Sequence, residues 1–333
     1  YCTIAETIFD AMGLEKGDKM TEQISIGVLV ICAMSYGISP IGHPVAIIAM
    51  ELFSSLQVVN YAQFLMVGLL SAGVFFVLFL LVMRFVFRLD VEKFRSFDPD
   101  LLKKDIGPVT KEEIVSLGVF LIVVAWWVLP GLIRDILPGV YTFMDNLGYC
   151  FPLLLAIAFF CTVPVNGKLM MHHVTSLKRD ASWQAAYPMA TAMMLSAAIT
   201  RPEAGITEFA FGLLRPALGS MPAFVFVLVA SGAAMMLANF SNITIIVTLF
   251  GTVAVTLMQS SIITGVAAGP FCIVFAISAC MAVATVSSTY GAITFSGGWV
   301  TKQKQLTEGL TFAVLAWLVT ILVGYPFGML LFT

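Results

Sequence analysis

Three short stretches carry the polar side chains of this chain that could do chemistry: SYGISPIGHP at 35–44, ANFSN at 238–242 and SSTYG at 287–291. Asn242 offers both a donor and an acceptor, so its amide can serve a carboxylate and a cation together. Its neighbour Ser241 adds a hydroxyl. Carbonyl oxygens released where a helix breaks suit a hard cation such as sodium, and N–H groups freed at a helix start suit an anion. His43 has two readings. It could bond a solute or titrate near neutral pH, or stay neutral and satisfy a carbonyl freed by the break.

The elements that hold these stretches are apolar. Of 333 residues, 60% are hydrophobic and 11% charged, with a mean hydropathy of +1.00. A soluble domain carries about 25% charged residues, so the composition predicts an integral membrane protein. A helix needs about 20 apolar residues to cross the hydrocarbon, and the runs 61–83, 114–133, 140–164, 222–259 and 309–332 are long enough. No period-two alternation suggests a barrel, so the predicted class is an all-α polytopic membrane protein. The six cysteines have no metal-ligand spacing and read as packing residues.

Along the chain the pattern predicts a half-helix at 21–36, a break at 37–44, a second half-helix at 45–59 and a span at 61–88. Spans at 114–136 and 140–164 follow a polar loop. A helix at about 184–200 and an interfacial arm at 201–219 come next. The run 222–259 is interrupted at ANFSN, 262–300 is interrupted at SSTYG, and 309–332 is the last span. Non-helical backbone at membrane depth survives only where protein or a water-filled cavity surrounds it. Three interruptions in one chain therefore predict a binding region.

Charge placement orients the map. If 222–259 is a re-entrant hairpin and the 84–113 loop is cytoplasmic, fourteen of the 17 Lys and Arg fall inside, and only Arg134, Arg201 and Arg215 fall outside. A single crossing at 222–259 would move Lys302 and Lys304 outward. The order of broken helix and last span recurs in both halves with opposite sense, which predicts an inverted repeat whose first copy is incomplete, its early spans and first hairpin lying outside this chain. The motifs G-x-S-x-G, HExxH and P-loop are absent, so the expectation is not an enzyme. A channel is the rival class, disfavoured because neither charge rings nor repeated carbonyl filters occur.

On GLEKGDK with SYGISPIGHPVAIIAM, ANFSNIT and SSTYGAITFSGGW, the sequence resembles the divalent anion:sodium symporter family. The loop and span GPVTKEEIVSLGVFLIVVAWWVLP is similar to that family's mid-chain connector. The resemblance implies a sodium-coupled transporter of a small di- or tricarboxylate-like organic anion, a multi-pass homodimer of the cell's inner (plasma) membrane working by an elevator mechanism. It implies transport-domain segments at 1–59 and 222–300, scaffold at 60–183 and 184–221, and a last span at 301–333. Carried over residue by residue, Ser241 and Asn242 contact the substrate carboxylate, with Asn242 also near sodium. Gly42 and Ser287 line sodium sites, and Thr289 lies beside the substrate. Thr244 and His43 complete the expected substrate set. No cofactor other than sodium as coupling ion and no nucleic-acid partner is implied; the partners are the anion, sodium, lipid and a second copy.

Departures from the family pattern bear on the substrate. Ile243 stands where a Thr is usual, and Thr244 lies about 100° further round a helix. His43 replaces a Thr, while Thr289, Tyr290 and Gly291 replace Pro-Pro-Asn. Related superfamily permeases, for arsenite or as the membrane subunit of a binding-protein-dependent carboxylate system, are the nearest alternatives.

Overall fold

The computed structural model describes residues 13–40, 44–88, 108–133, 136–148, 150–179, 221–286 and 289–332, with positions 9, 194, 201, 203, 205 and 209. The expected helix at 184–200 and arm at 201–219 lie almost wholly outside them. The chain divides into two compact units, one of Tyr1–Val59, Gln63–Phe97 and Tyr187–Thr333, the other of Asn60–Ala62 and Asp98–Ala186.

In the larger unit, helix α1 (Lys19–Ile38) ends because Ser39 is extended, φ −138° and ψ 139°, the conformation that a following proline imposes. Pro44 then opens α2 (Pro44–Phe53), a first-turn position where a missing N–H is no loss. The expected second half-helix to residue 59 stops at Phe53 instead. There Ser54 donates its hydroxyl to the Glu51 carbonyl at 2.7 Å, and the chain turns.

Helix α3 (Tyr61–Leu81) continues as a π-helical turn at Val82–Val86. In the smaller unit, α4 (Lys111–Ile133) starts at a reciprocal cap. Thr110 N–H donates to Glu113 Oε2 at 2.7 Å, and Glu113 N–H donates to Thr110 Oγ1 at 3.2 Å. The expected single crossing at 140–164 is two helices, α5 (Pro138–Leu147) and α6 (Phe151–Thr162). Gly148 divides them with φ +74°, a left-handed conformation glycine adopts without strain. A two-residue antiparallel ladder pairs β1 (Pro164–Val165) with β2 (Lys168–Leu169), and α7 (His173–Arg179) follows.

Back in the larger unit, the run 222–259 is not one helix. It forms α8 (Ala223–Ala238) and α9 (Ile243–Gln259), of 16 and 17 residues. Next come α10 (Ala268–Cys280), α11 (Thr289–Ser296) and α12 (Lys302–Val319), which runs through a π turn at Thr320–Gly324 into α13 (Tyr325–Leu331). The last span thus begins at Lys302, seven residues before its expected start.

Among the described residues four helices are long and apolar enough to cross a membrane: Lys19–Ile38, Tyr61–Val86, Lys111–Pro130 and Lys302–Leu331. Leu117, Phe120, Leu121 and Ile122 of α4 are all exposed. Such a surface is stable where the solvent is hydrocarbon. The coarse expectation holds: this is an all-α architecture with several helices suited to a bilayer.

The core of the larger unit is α10, whose residues 268–280 are all buried. Phe53 of α2 meets Phe271 and Phe275 with ring centroids 5.4 and 6.2 Å apart, and Phe226 of α8 meets Phe271 at 5.5 Å. An added Cβ at Gly251 of α9 would stand 3.0 Å from the Leu52 side chain. An added Cβ at Gly265 would stand 3.8 Å from Ala223, so after α9 the chain returns to where α8 began.

Candidate functional site

Asn239 and Asn242 flank the turn between α8 and α9, and they do different work. Asn242 is exposed and caps α9, its Oδ1 accepting from Thr244 N–H at 2.9 Å and Ile245 N–H at 3.4 Å. Both bonds fall on the oxygen expected to face sodium, the second long at 3.4 Å, and the Nδ2 amide points elsewhere as a donor. Ser241 precedes it and is half-buried. Thr244 Oγ1 follows in the first turn of α9, where Thr248 donates to the Thr244 carbonyl at 2.8 Å.

Asn239 is fully buried. Its Nδ2 donates to the carbonyls of Met235 at 2.9 Å and Met281 at 3.0 Å, and its Oδ1 accepts from Ala284 N–H at 2.7 Å. Thr285 donates its hydroxyl to the Asn239 carbonyl. One side chain thereby holds the turn against the segment that follows α10.

That segment is where the second broken helix breaks. The helix ends at Cys280, and Met281–Ala284 are non-helical and buried. The interruption was expected at 287–291, but Thr289, Tyr290 and Gly291 are already helical in α11. The apolar sequence MAVA can leave the helix because side chains elsewhere satisfy its backbone. Besides Asn239, Gln305 of α12 turns Nε2 toward the carbonyls of Gly291, Thr285 and Val283, at 3.3, 3.4 and 3.5 Å. Gly309 admits the strand, since a Cβ there would stand 2.8 Å from the Val283 oxygen.

The first break lies alongside. A Cβ at Gly37, one residue before the end of α1, would stand 3.3 Å from Cys280 Cβ. Three ends therefore meet: the C-termini of α1, α8 and α10. The contacts of Leu52 and Phe53 with Gly251, and the 3.0 Å bond of Gln259 to Ser55, set the C-terminal parts of α2 and α9 side by side. The starts of α2 at Pro44 and of α9 at Ile243, each carrying partial positive charge, follow two of these three ends in sequence.

Gly42, His43 and Ser287, expected as sodium or substrate ligands, lie outside the described residues, as does any side-chain geometry of Thr289, which opens α11. Ser241, Asn242 and Thr244 follow Asn239 along the chain, Ser241 before the α9 cap, Asn242 at it and Thr244 in the first turn of α9. Sequence reasoning passed over Asn239 and Gln305. Asn239 stood inside the quoted ANFSN, and an Asn that ends a helix rather than starts one was the available signal. A cavity of about 680 Å³ lies at the far end of α2 and α9, against Gln57, Met258 and Phe332, away from these polar groups.

No model of a known protein family matches the chain, and no curated protein matches it.

Proposed function

We propose that this chain belongs to a secondary active transporter, sodium-coupled and specific for a small organic anion, that binds its solutes where the three interrupted segments meet. The observation that carries the reading is that the ends of three helices meet, at Gly37, Asn239 and Cys280, with helix starts at Pro44 and Ile243 following two of them in sequence. Discontinuous helices with this arrangement suit anion binding at helix starts and cation binding at released carbonyls. In this reading Ser241, the Asn242 Nδ2 amide, Thr244, Thr289 and His43 face the anion, and Gly42, Asn242 and Ser287 the sodium.

The lengths of α8 and α9 support a re-entrant hairpin. Sixteen or seventeen residues span about 25 Å against about 30 Å of hydrocarbon. The return of the chain at Gly265 to Ala223 supports the same geometry. The likeness to divalent anion:sodium symporters, with its dimer and elevator movement, rests on motif order and is part of the proposal. The hydroxyl missing at Ile243, and the Asn amide missing where Gly291 stands, favour a solute other than the usual dicarboxylates.

Uptake into proteoliposomes tests the reading. Saturable accumulation of a small carboxylate, driven by an inward sodium gradient and lost when sodium is replaced by choline, is expected. Non-saturating flux, or flux indifferent to sodium, would overturn it.

A further inference from the structure

Four buried side-chain atoms among the described residues have no hydrogen-bond partner: Gln23 Oε1, Gln305 Oε1, Glu308 Oε2 and Ser71 Oγ. Three are acceptor oxygens, and those three sit on α1 and α12, which pack against each other. Buried acceptors are normally satisfied, and a concentration of empty ones asks for a positively charged visitor.

Neither amide can turn to give its oxygen a partner. Gln305 Nε2 faces three carbonyls, so reversing the amide would set oxygen against oxygen. Gln23 Nε2 donates to the Phe87 carbonyl at 3.0 Å, which fixes its oxygen in the same way. Gln305 and Glu308 are three residues apart and share a helix face. Gln23 lies at their level: Glu22 beside it pairs with Lys304 at 2.6 Å, and Phe87, whose carbonyl accepts from Gln23, sets its ring 5.5 Å from that of Phe312. Glu308 is midway between Lys304 and Phe312.

Charge selects the occupant. Lys304, Glu22 and Lys19 are the charged groups facing Glu308. Lys304 is committed to Glu22, whose other oxygen accepts from Thr301 N–H at 3.1 Å, and Lys19 is exposed at the mouth of α1. Of the three unpartnered oxygens Glu308 supplies the one that belongs to a carboxylate, beside two neutral amide oxygens. Hard oxygen donors and a single negative charge fit an alkali-metal ion better than a divalent or transition metal.

We propose that Glu308, Gln305 and Gln23 form a binding site for a monovalent alkali cation, distinct from the sodium positions at the interrupted helices. Because Gln305 also holds the carbonyls of Val283, Thr285 and Gly291, a cation on its oxygen polarises the amide that fixes the second break. The inference concerns binding to the purified protein without any anion, so it stands or falls separately from transport.

The experiment follows thermal unfolding of the detergent-solubilised protein as sodium replaces N-methylglucamine at constant ionic strength, in an Asn242→Ala background that weakens the other proposed sodium position. A saturable rise in Tm with sodium is expected, with affinity reduced at least about tenfold by Glu308→Gln, as for loss of a charged ligand. Glu308→Asp, which keeps the charge, should retain a weakened response and guards against a misfolded Gln variant. An unchanged sodium response in Glu308→Gln would overturn the site. So would stability that follows pH and ignores sodium until Glu308 is replaced, since a proton would then be the occupant.

Discussion

Two asparagines three positions apart, Asn239 and Asn242, stand in different surroundings at one turn, and the proposed function gives a binding role to the second alone. Asn239 is buried and joins α8 to the segment after α10 through bonds to Met281 and Ala284. Truncation strands a buried carbonyl and a buried N–H, at about 1–3 kcal/mol for each group left unsatisfied. Asn239→Ala should therefore lower the unfolding midpoint by several degrees and weaken expression, measured by fluorescence-detected thermal unfolding. Asn242→Ala removes only a helix cap, worth about 1 kcal/mol, so its midpoint should fall little. Its loss should appear in binding: sodium-dependent uptake is expected to drop about tenfold or more, as when a hydrogen bond to a charged group is removed. Equal stability losses in the two variants would contradict this division. The sequence advertised Asn242 through the Ser-Asn pair, whereas the buried role of Asn239 depends on a partner 42 residues away that no local pattern displays.

At the scale of elements, the same long-range dependence explains which breaks could be read. Pro40 and Pro44 carry their own backbone restriction, so the first interruption was legible between α1 and α2. Gly148 likewise divides α5 from α6, but hidden in an apolar stretch it was read through as a crossing. The second broken helix opens at Met281, not at the polar Ser287, because Asn239, Gln305 and Gly309 make room and partners for an apolar strand. That cause lies in α8 and α12, not in the segment itself. Gly309 gives the test. Gly→Ala inside a helix ordinarily stabilises by about 1 kcal/mol, but a Cβ at 309 would press on the Val283 oxygen and the Ala284 Cα at 2.8 and 2.9 Å. Gly309→Ala should destabilise, since backbone cannot swing aside, while Gly118→Ala on α4, with nothing within 4 Å, should be neutral or stabilising. The two unfolding midpoints, measured side by side, check it. A gain at 309 would mean that α12 does not press on the strand.

For the whole molecule the question is which ends face which side of the bilayer. In the larger unit, positive charge gathers at one end. Lys16 donates to the Gly297 carbonyl at 2.8 Å and lies over the Trp299 ring. Lys304 pairs with Glu22, and the bond of Gln23 to Phe87 brings Arg84 and Arg88, at the end of α3, to the same level. The opposite end is held by neutral bonds, Gln57 to Gly269 N–H at 2.8 Å, Gln63 to the Leu331 carbonyl at 3.3 Å and Gln259 to Ser55 at 3.0 Å. The positive-inside rule predicts that the first end is cytoplasmic. The start of α8 and the segment after α9 belong to the neutral end, because Gly265 stands against Ala223 and Phe224 meets Tyr325 at 6.4 Å. Single cysteines placed in a cysteine-free background therefore make a definite pattern. Lys19→Cys and Gln303→Cys should react with an impermeant maleimide only from the cytoplasmic side, and Val58→Cys, Met221→Cys and Thr264→Cys only from the other. Positions 221 and 264 decide the matter, since they bracket α8 and α9: labelling from opposite faces would make that pair a net crossing, reverse the side assigned to Lys302 and Lys304, and remove the hairpin on which the anion site depends.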